Sequence, residues 1–346
     1  MREHTLHLLV PGLLGPMPAL ARSGLRPELP RLSRCLARAD RLPAPGRDLE
    51  STLFGLSGLA PPPGRDLPVA AFQRVGEGAA PDERPWMLAH PVFLRPDRSR
   101  LLLFDFQDLT LSPEEARDLA GLLEGHFREQ DWHLELAEPF RWYLSPDRAP
   151  AIQTFGLGEV FGRNIAAFLP RGDEALVWHG LLNEAQMLLF GCETNRAREA
   201  AGRLPVNGLW VSGAGRLPER FVFPYDRLFA DHPLPRGMAR VGGVVPAPLA
   251  DWEPENGEGR ALLVDDRLLR PVWRADPYDW TEALAAFDAW LAGPLRALSE
   301  KRLERLDIYP CNGARYRLDR RALRRFWRRA GDHGSRLDPD PVLQRI

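Results

Sequence analysis

Apolar and polar positions along the chain change period several times, and each change marks an element. Residues 5–10 form a short, mostly apolar run closed by Pro11-Gly12, the mark of a buried strand. Proline- and glycine-rich sequence then extends to Pro85, enclosing a helix predicted around 30–39, and Pro61-Pro62-Pro63-Gly64 reads as a surface loop. From Trp86 the texture changes. Residues 91–94 and 101–105 are strand-like, and Ser112-Pro113-Glu114-Glu115 opens a helix to about 129. Ser112 is its N-cap, Pro113 suits the first turn, and the two acids complement the positive end of the helix dipole. Residues 132–136 and 140–144 read as paired strands, so this stretch is a compact α/β subdomain. A helix at 178–190 follows. Strands at 208–212, 261–265 and 303–309, with a helix at 280–299, then give a parallel-sheet rhythm, and 240–260 reads as loop. The fold class is α/β.

Charge changes this picture little. The 346 residues carry a net charge of −1, so no overall field draws the chain to nucleic acid or a membrane surface. Of 46 basic residues only Lys301 is lysine, so any grip on phosphate or carboxylate must be an arginine fork. Three widely spaced cysteines (Cys35, Cys192, Cys311) argue against a disulfide framework and for a reducing compartment. Pro11, Pro16 and Pro18 break the apolar N-terminal run, which argues against a signal peptide, and no stretch reaches membrane-span length. The expectation is a cytoplasmic chain with neither nucleic-acid nor membrane partners.

Three constellations carry candidate chemistry. On the 178–190 helix, His179, Asn183 and Gln186 fall within roughly 60° of one another, a stripe that fits either a ligand or a closed polar network. Gly213-Ala214-Gly215-Arg216 closes the 208–212 strand, where backbone amides and an arginine could clamp an anion, or simply form a turn. Asp265, Asp266, Asp276 and Asp279 could hold magnesium, with no histidine nearby to favour a transition metal. The run 314–330, with eight arginines, reads as an amphipathic helix docked by Leu323, Phe326, Trp327 and Ala330 rather than a nucleic-acid arm.

With Asn195, Arg198, Gly202, Pro205, Asn207, Trp210 and Gly213-Ala214-Gly215 on the page, the chain resembles the archaeal-type cofactor-independent phosphoglycerate mutases of the alkaline phosphatase superfamily. Asn164-Ile165, Leu169-Pro170-Arg171-Gly172 and Pro233 through Ala239 add to the likeness. A fuller resemblance is to the bacterial RpfE-type regulatory proteins, through Leu9-Val10-Pro11-Gly12, Leu94-Arg95-Pro96-Asp97, Arg141-Trp142-Tyr143-Leu144, Gly162-Arg163-Asn164-Ile165 and Leu181-Leu182-Asn183-Glu184. The resemblance implies an alkaline-phosphatase-like, mostly parallel sheet core at 1–85 and 206–346, with an inserted smaller α/β domain at 86–205. It also implies losses. The first strand ends in Val10-Pro11-Gly12 where a mutase needs Asp-Gly. The stretch Pro45-Gly46-Arg47-Asp48 lacks the serine of a Gly-Ser-Asp turn. The expectation is a non-catalytic regulatory protein without a cofactor, binding a small phosphorylated or carboxylate ligand or a protein partner. The alternative is an active metal-dependent mutase or phosphatase with a rearranged site. Ligand contacts are expected from Asn164, His179, Asn183, Gln186, Asn195, Arg198, Asn207, Gly213, Gly215 and Arg216, with Asp265 and Asp266 as metal candidates.

Overall fold

The computed structural model describes residues 4–15, 17, 19–98, 100–104, 109–128, 132–254 and 259–328. The chain divides into two compact units, the first built from 1–59 and 222–346 and the second from 60–221. In the first unit lie strands β1 (Thr5–Leu9) and β2 (Asp40–Pro43). The second holds β3 (Trp86–Asp97), β4 (Arg100–Phe104), β5 (His133–Glu138), β6 (Arg141–Ser145) and β7 (Gly208–Gly215). Back in the first are β8 (Arg227–Ala230), β9 (Pro246–Ala247), β10 (Arg260–Val264), β11 (Arg305–Tyr309) and β12 (Ala314–Asp319).

The first unit's sheet has the order β2-β12-β11-β1-β10-β8-β9 and is parallel from β11 to β9, with β12 and β2 antiparallel at one edge. Leu6, Leu8, Ala261, Leu263, Leu306 and Ile308 alternate onto one face and pack against Trp280, Leu284 and Phe287 of the helix Pro277–Trp290 and Leu32 of the helix Pro30–Arg38. Each such side chain contributes about 2 kcal/mol of burial. The other face is apolar at Leu9, Leu262 and Val264 but carries polar side chains across β1, β11 and β12, with Thr5 and His7, Arg305, Asp307 and Tyr309, and Arg315 and Arg317 sharing the alternation.

The second unit is an antiparallel sheet, β4-β3-β6-β5 with β7 on β3. Its core joins Trp142 and Leu144 to Leu119, Leu123 and Phe127 of the helix Pro113–Arg128, and to Trp178, Leu181, Ala185 and Leu189 of the helix Ala175–Leu189. The rings of Trp132 and Trp178 stack at 4.9 Å between centroids.

The α/β class with a mostly parallel sheet is as the sequence implies, but the expected boundaries at 85/86 and 205/206 are not where the contacts divide. Residues 208–212 were expected in the parallel core. They belong to β7, whose Leu209, Trp210 and Val211 pair antiparallel with Pro91, His90 and Ala89 of β3. Strand order cannot be read from alternation alone, because a buried antiparallel strand and a parallel strand show the same apolar run. The docked helix expected over 314–330 is also corrected. Residues 314–319 pair with both β11 and β2, among the described residues of this run only Arg320–Leu323 is helical, and Phe326 and Trp327 are exposed. Ala330 lies outside the described residues.

Candidate functional site

The residues expected to hold an anion lie in the second unit, and most of their hydrogen bonds close on the unit itself. Arg198, on the helix Glu193–Ala200, is 0% exposed. Its Nε donates to the Leu204 carbonyl at 2.9 Å, one terminal nitrogen to Glu115 Oε2 at 2.7 Å, and the other to the Leu109 carbonyl. Glu115 is the capping-box acid of the helix Pro113–Arg128, accepting from the Ser112 amide at 3.0 Å while the Glu115 amide donates to Ser112 Oγ at 3.2 Å. Arg198 therefore ties two helices and a loop together, which corrects its expected role. A fully buried guanidinium with every nitrogen engaged cannot meet a ligand.

Asn195 and Asn207 are corrected for the same reason. Asn195 Nδ2 donates to the carbonyls of Leu189 (2.8 Å) and Val206 (2.7 Å), and its Oδ1 accepts from the Val206 amide at 2.9 Å. Asn207 exchanges a similar pair of bonds with the backbone of Leu94, at 2.7 and 2.9 Å. Asn164 caps the 3-10 turn Ile165–Ala167, and His179 Nε2 lies 2.9 Å from the Pro170 carbonyl. Asn183 is exposed and Gln186 half-buried, on a helix that also exposes Leu176, Val177 and Met187.

Gly213 to Gly215 are strand residues of β7, so the expected loop is corrected as well. Gly213 adopts φ +64°, and a Cβ there would sit 2.8 Å from Val69 Cβ. Its amide donates to Thr154 Oγ1 at 3.1 Å, and that of Ala214 to Asp66 Oδ2 at 3.3 Å. Asp66 also accepts from the Thr154 amide and hydroxyl. These amides do hold an anion, but it is the protein's own carboxylate, whose pKa burial pushes up against the pull of those hydrogen bonds. Gly215 packs on Pro68, and Arg216 follows directly after the strand.

In the first unit, chemistry is expected at the carboxyl ends of the parallel strands. β8 leads into Asp231-His232, β10 into Asp265-Asp266, and β1 into Val10-Pro11-Gly12. Asp265 is almost fully buried and receives a bidentate fork from Arg267, Nε at 2.8 Å and a terminal nitrogen at 2.6 Å. Burial pushes the Asp266 carboxyl up; Asp265 and Asp231 push the same way, while Arg267 opposes them. Asp231 accepts from the Leu249 amide at 3.3 Å, and His232 Nδ1 accepts from Leu234, capping the helix Pro233–Val241. Asp276 caps the helix Pro277–Trp290, accepting from Tyr278 and Asp279, so it is no metal remnant. Among the described residues no three His, Cys, Asp or Glu side chains are grouped to hold a metal ion. With both Asp265 oxygens on an arginine, the divalent cations that phosphoryl transfer needs do not fit this edge.

No family model matches the chain. It is 25% identical over 133 residues to a probable 2,3-bisphosphoglycerate-independent phosphoglycerate mutase of Geobacter sulfurreducens, covering 38% of this chain and 33% of that protein. The matched stretch thus spans about a third of that relative's length. Among solved structures, the PH0037 protein from Pyrococcus horikoshii shares the fold, with a TM-score of 0.52 and 14% identity over 92% of this chain and 87% of that one. The cofactor-independent phosphoglycerate mutase from Thermoplasma acidophilum aligns with a TM-score of 0.45 and 16% identity over 92% and 90%. The chain thus shares its fold with the PH0037 protein and has weak sequence similarity, over little more than a third of its length, to a probable phosphoglycerate mutase. No helix among the described residues is long and apolar enough to cross a membrane.

Proposed function

We propose that this chain is a phosphoglycerate-mutase-like protein that has lost phosphoryl transfer and serves as a regulatory binding protein, as its resemblance to the RpfE-type proteins suggests. Its partner on this reading is a small anionic ligand or another protein. The observation that carries the reading is the Arg267 fork on Asp265 at the carboxyl end of β10. Metal-assisted phosphoryl transfer needs carboxylates free to ligate cations that bridge the attacking and leaving oxygens. A guanidinium neutralises those carboxylates without polarising a bound water or accepting a ligand of its own. β1 adds no acid at its end, only Val10, Pro11 and Gly12.

The test is turnover of a phosphoglycerate and of a chromogenic phosphate monoester with manganese, zinc or magnesium, beside Asp265→Ala and Asp266→Ala. No turnover above buffer is expected in any of the three proteins. Metal-dependent turnover in the wild type that both substitutions abolish would establish an active, rearranged enzyme instead.

A further inference from the structure

The helix Ala175–Leu189 is apolar on two opposite sides. Trp178, Leu181, Ala185 and Leu189 face the second unit's core. At about 100° per residue, Leu176, Gly180, Asn183, Met187 and the C-cap residue Phe190 gather within roughly 80° on the other side, and all five are exposed. Leu176 is 83% exposed, Met187 76% and Phe190 85%, and Val177 borders the same stripe. A helix that is apolar all round is normally buried all round. Single exposed apolar side chains are ordinary on a protein surface. Here, however, four of the eleven large ones exposed among the described residues fall within 176–190.

The spacing along the stripe alternates four and three residues, the repeat with which one helix packs lengthwise against another. Charge is missing from it. Glu184 is the helix's only acid, no lysine or arginine accompanies it, and its Oε2 lies 2.8 Å from His126 Nε2 on the helix Pro113–Arg128. An uncharged face gives a charged partner segment nothing to pair with and suits a face as uncharged as itself. The order of side-chain sizes suits its own copy in particular. Asn183 lies midway along the stripe, seven residues from both Leu176 and Phe190. Turning a second helix end for end about Asn183 sets Leu176 of one copy against Phe190 of the other, twice, and brings each Met187 opposite the gap at Gly180. The two Asn183 amides then meet at the axis, where each can donate to and accept from the other, whereas a charged side chain there would repel its own copy. The four large side chains expose about 500 Å² per copy, so two copies cover about 1,000 Å² of mostly apolar surface, the size at which specific interfaces begin.

We infer that this face joins two copies of the chain as an antiparallel helix pair, with the twofold axis at Asn183. The inference goes beyond the loss of phosphoryl transfer and does not rest on it, since it uses none of the residues at the Asp265 edge.

Sedimentation velocity of the full chain over a dilution series tests it, with thermal melts to confirm that each variant folds. The wild type should pass from dimer to monomer in the micromolar range, as befits an interface of this size. Met187→Glu, which buries a carboxylate in the contact twice per dimer, should weaken association about a hundredfold or more. Phe190→Ser should weaken it about tenfold. Asn183→Asp should weaken it at low ionic strength and less at high, because two carboxylates then meet across the axis. Val245→Glu, at an exposed position of the first unit, should leave it unchanged. Should one of the three stripe variants fail to fold, the other two decide. A wild type that stays monomeric at about 0.2 mM overturns the proposal, the outcome if a different protein covers this face. So does wild-type affinity in Met187→Glu and Phe190→Ser, which would place the dimer contact elsewhere.

Discussion

The two arginine clusters of this protein differ in how far their hydrogen bonds close. Around Arg198 every guanidinium nitrogen has an acceptor, and the neighbouring Asn195 is bonded through both ends of its amide. Around Asp307, three arginines share one buried carboxylate, and among the described residues the buried His7 Nε2, Thr5 hydroxyl and Arg315 Nε nearby have no hydrogen-bond partner. The first arrangement closes on itself, and the second leaves buried polar atoms unpaired. Residue type does not separate them, since both use arginine, a buried acid and uncharged polar side chains. The balance of donors and acceptors does.

The sharpest way to break this contrast is at Arg198. Replacement by Met leaves the part-buried Glu115 with Arg203 and the Ser112 amide and frees the Leu109 and Leu204 carbonyls, a loss of about 2–3 kcal/mol. Urea unfolding should show that loss, with Glu115→Gln in the same chain restoring part of it. Unchanged stability would show that the Arg198 hydrogen bonds do not hold this unit together.

Acid comes next. His7 and His90 both have folded pKa values near 4, lowered chiefly by burial. The unfolded chain takes up these protons near pH 6.5 and the folded chain does not, so stability is complete above that value. It should fall as pH drops from about 6.5 to 4, by at most about 3 kcal/mol per histidine, and these two groups should cost nothing further below pH 4. Denaturant midpoints across this range for His7→Asn and His90→Asn should each show a shallower slope. A slope unchanged in His7→Asn would mean that this imidazole is not held neutral.

The smallest effect belongs to Arg267, which is half exposed. Its replacement by Ala should lower stability by about 1 kcal/mol, the range of solvent-screened pairs. Added manganese should not restore the melting temperature. Restoration would show that Asp231, Asp265 and Asp266 can assemble around a cation once the arginine is gone.

Much of the fold was legible in the sequence. Apolar runs mark β1 and β10, and Ser112-Pro113-Glu114-Glu115 marks the start of the helix Pro113–Arg128. The misassigned strand, β7, is buried on both faces, so its alternation is silent about orientation and about which sheet it joins. The candidate site was read less well. Asn195 and Arg198 stand one helical turn apart, which puts them on one face but does not say whether that face is wet. Their acceptors at Leu109, Glu115 and Val206 come from other elements. The sheet face around His7 did carry a signal, in Arg305-Leu306-Asp307-Ile308-Tyr309, where charge alternates in a strand that a parallel sheet usually makes apolar throughout, and in Arg315-Tyr316-Arg317 of its antiparallel neighbour. It went unread because Thr5 and His7 lie some three hundred positions away from those arginines.

That polar alternation has a consequence during synthesis. β1 ends at Leu9, and both strands that flank it, β10 and β11, begin only at Arg260 and Arg305. At roughly 5–20 residues per second, β1 leaves the ribosome on the order of tens of seconds before either neighbour exists. A strand of unbroken leucine and valine would spend that interval as an open template for other nascent chains. Thr5 and His7 make one face of β1 polar, so the segment that waits longest for its partners is also only half apolar.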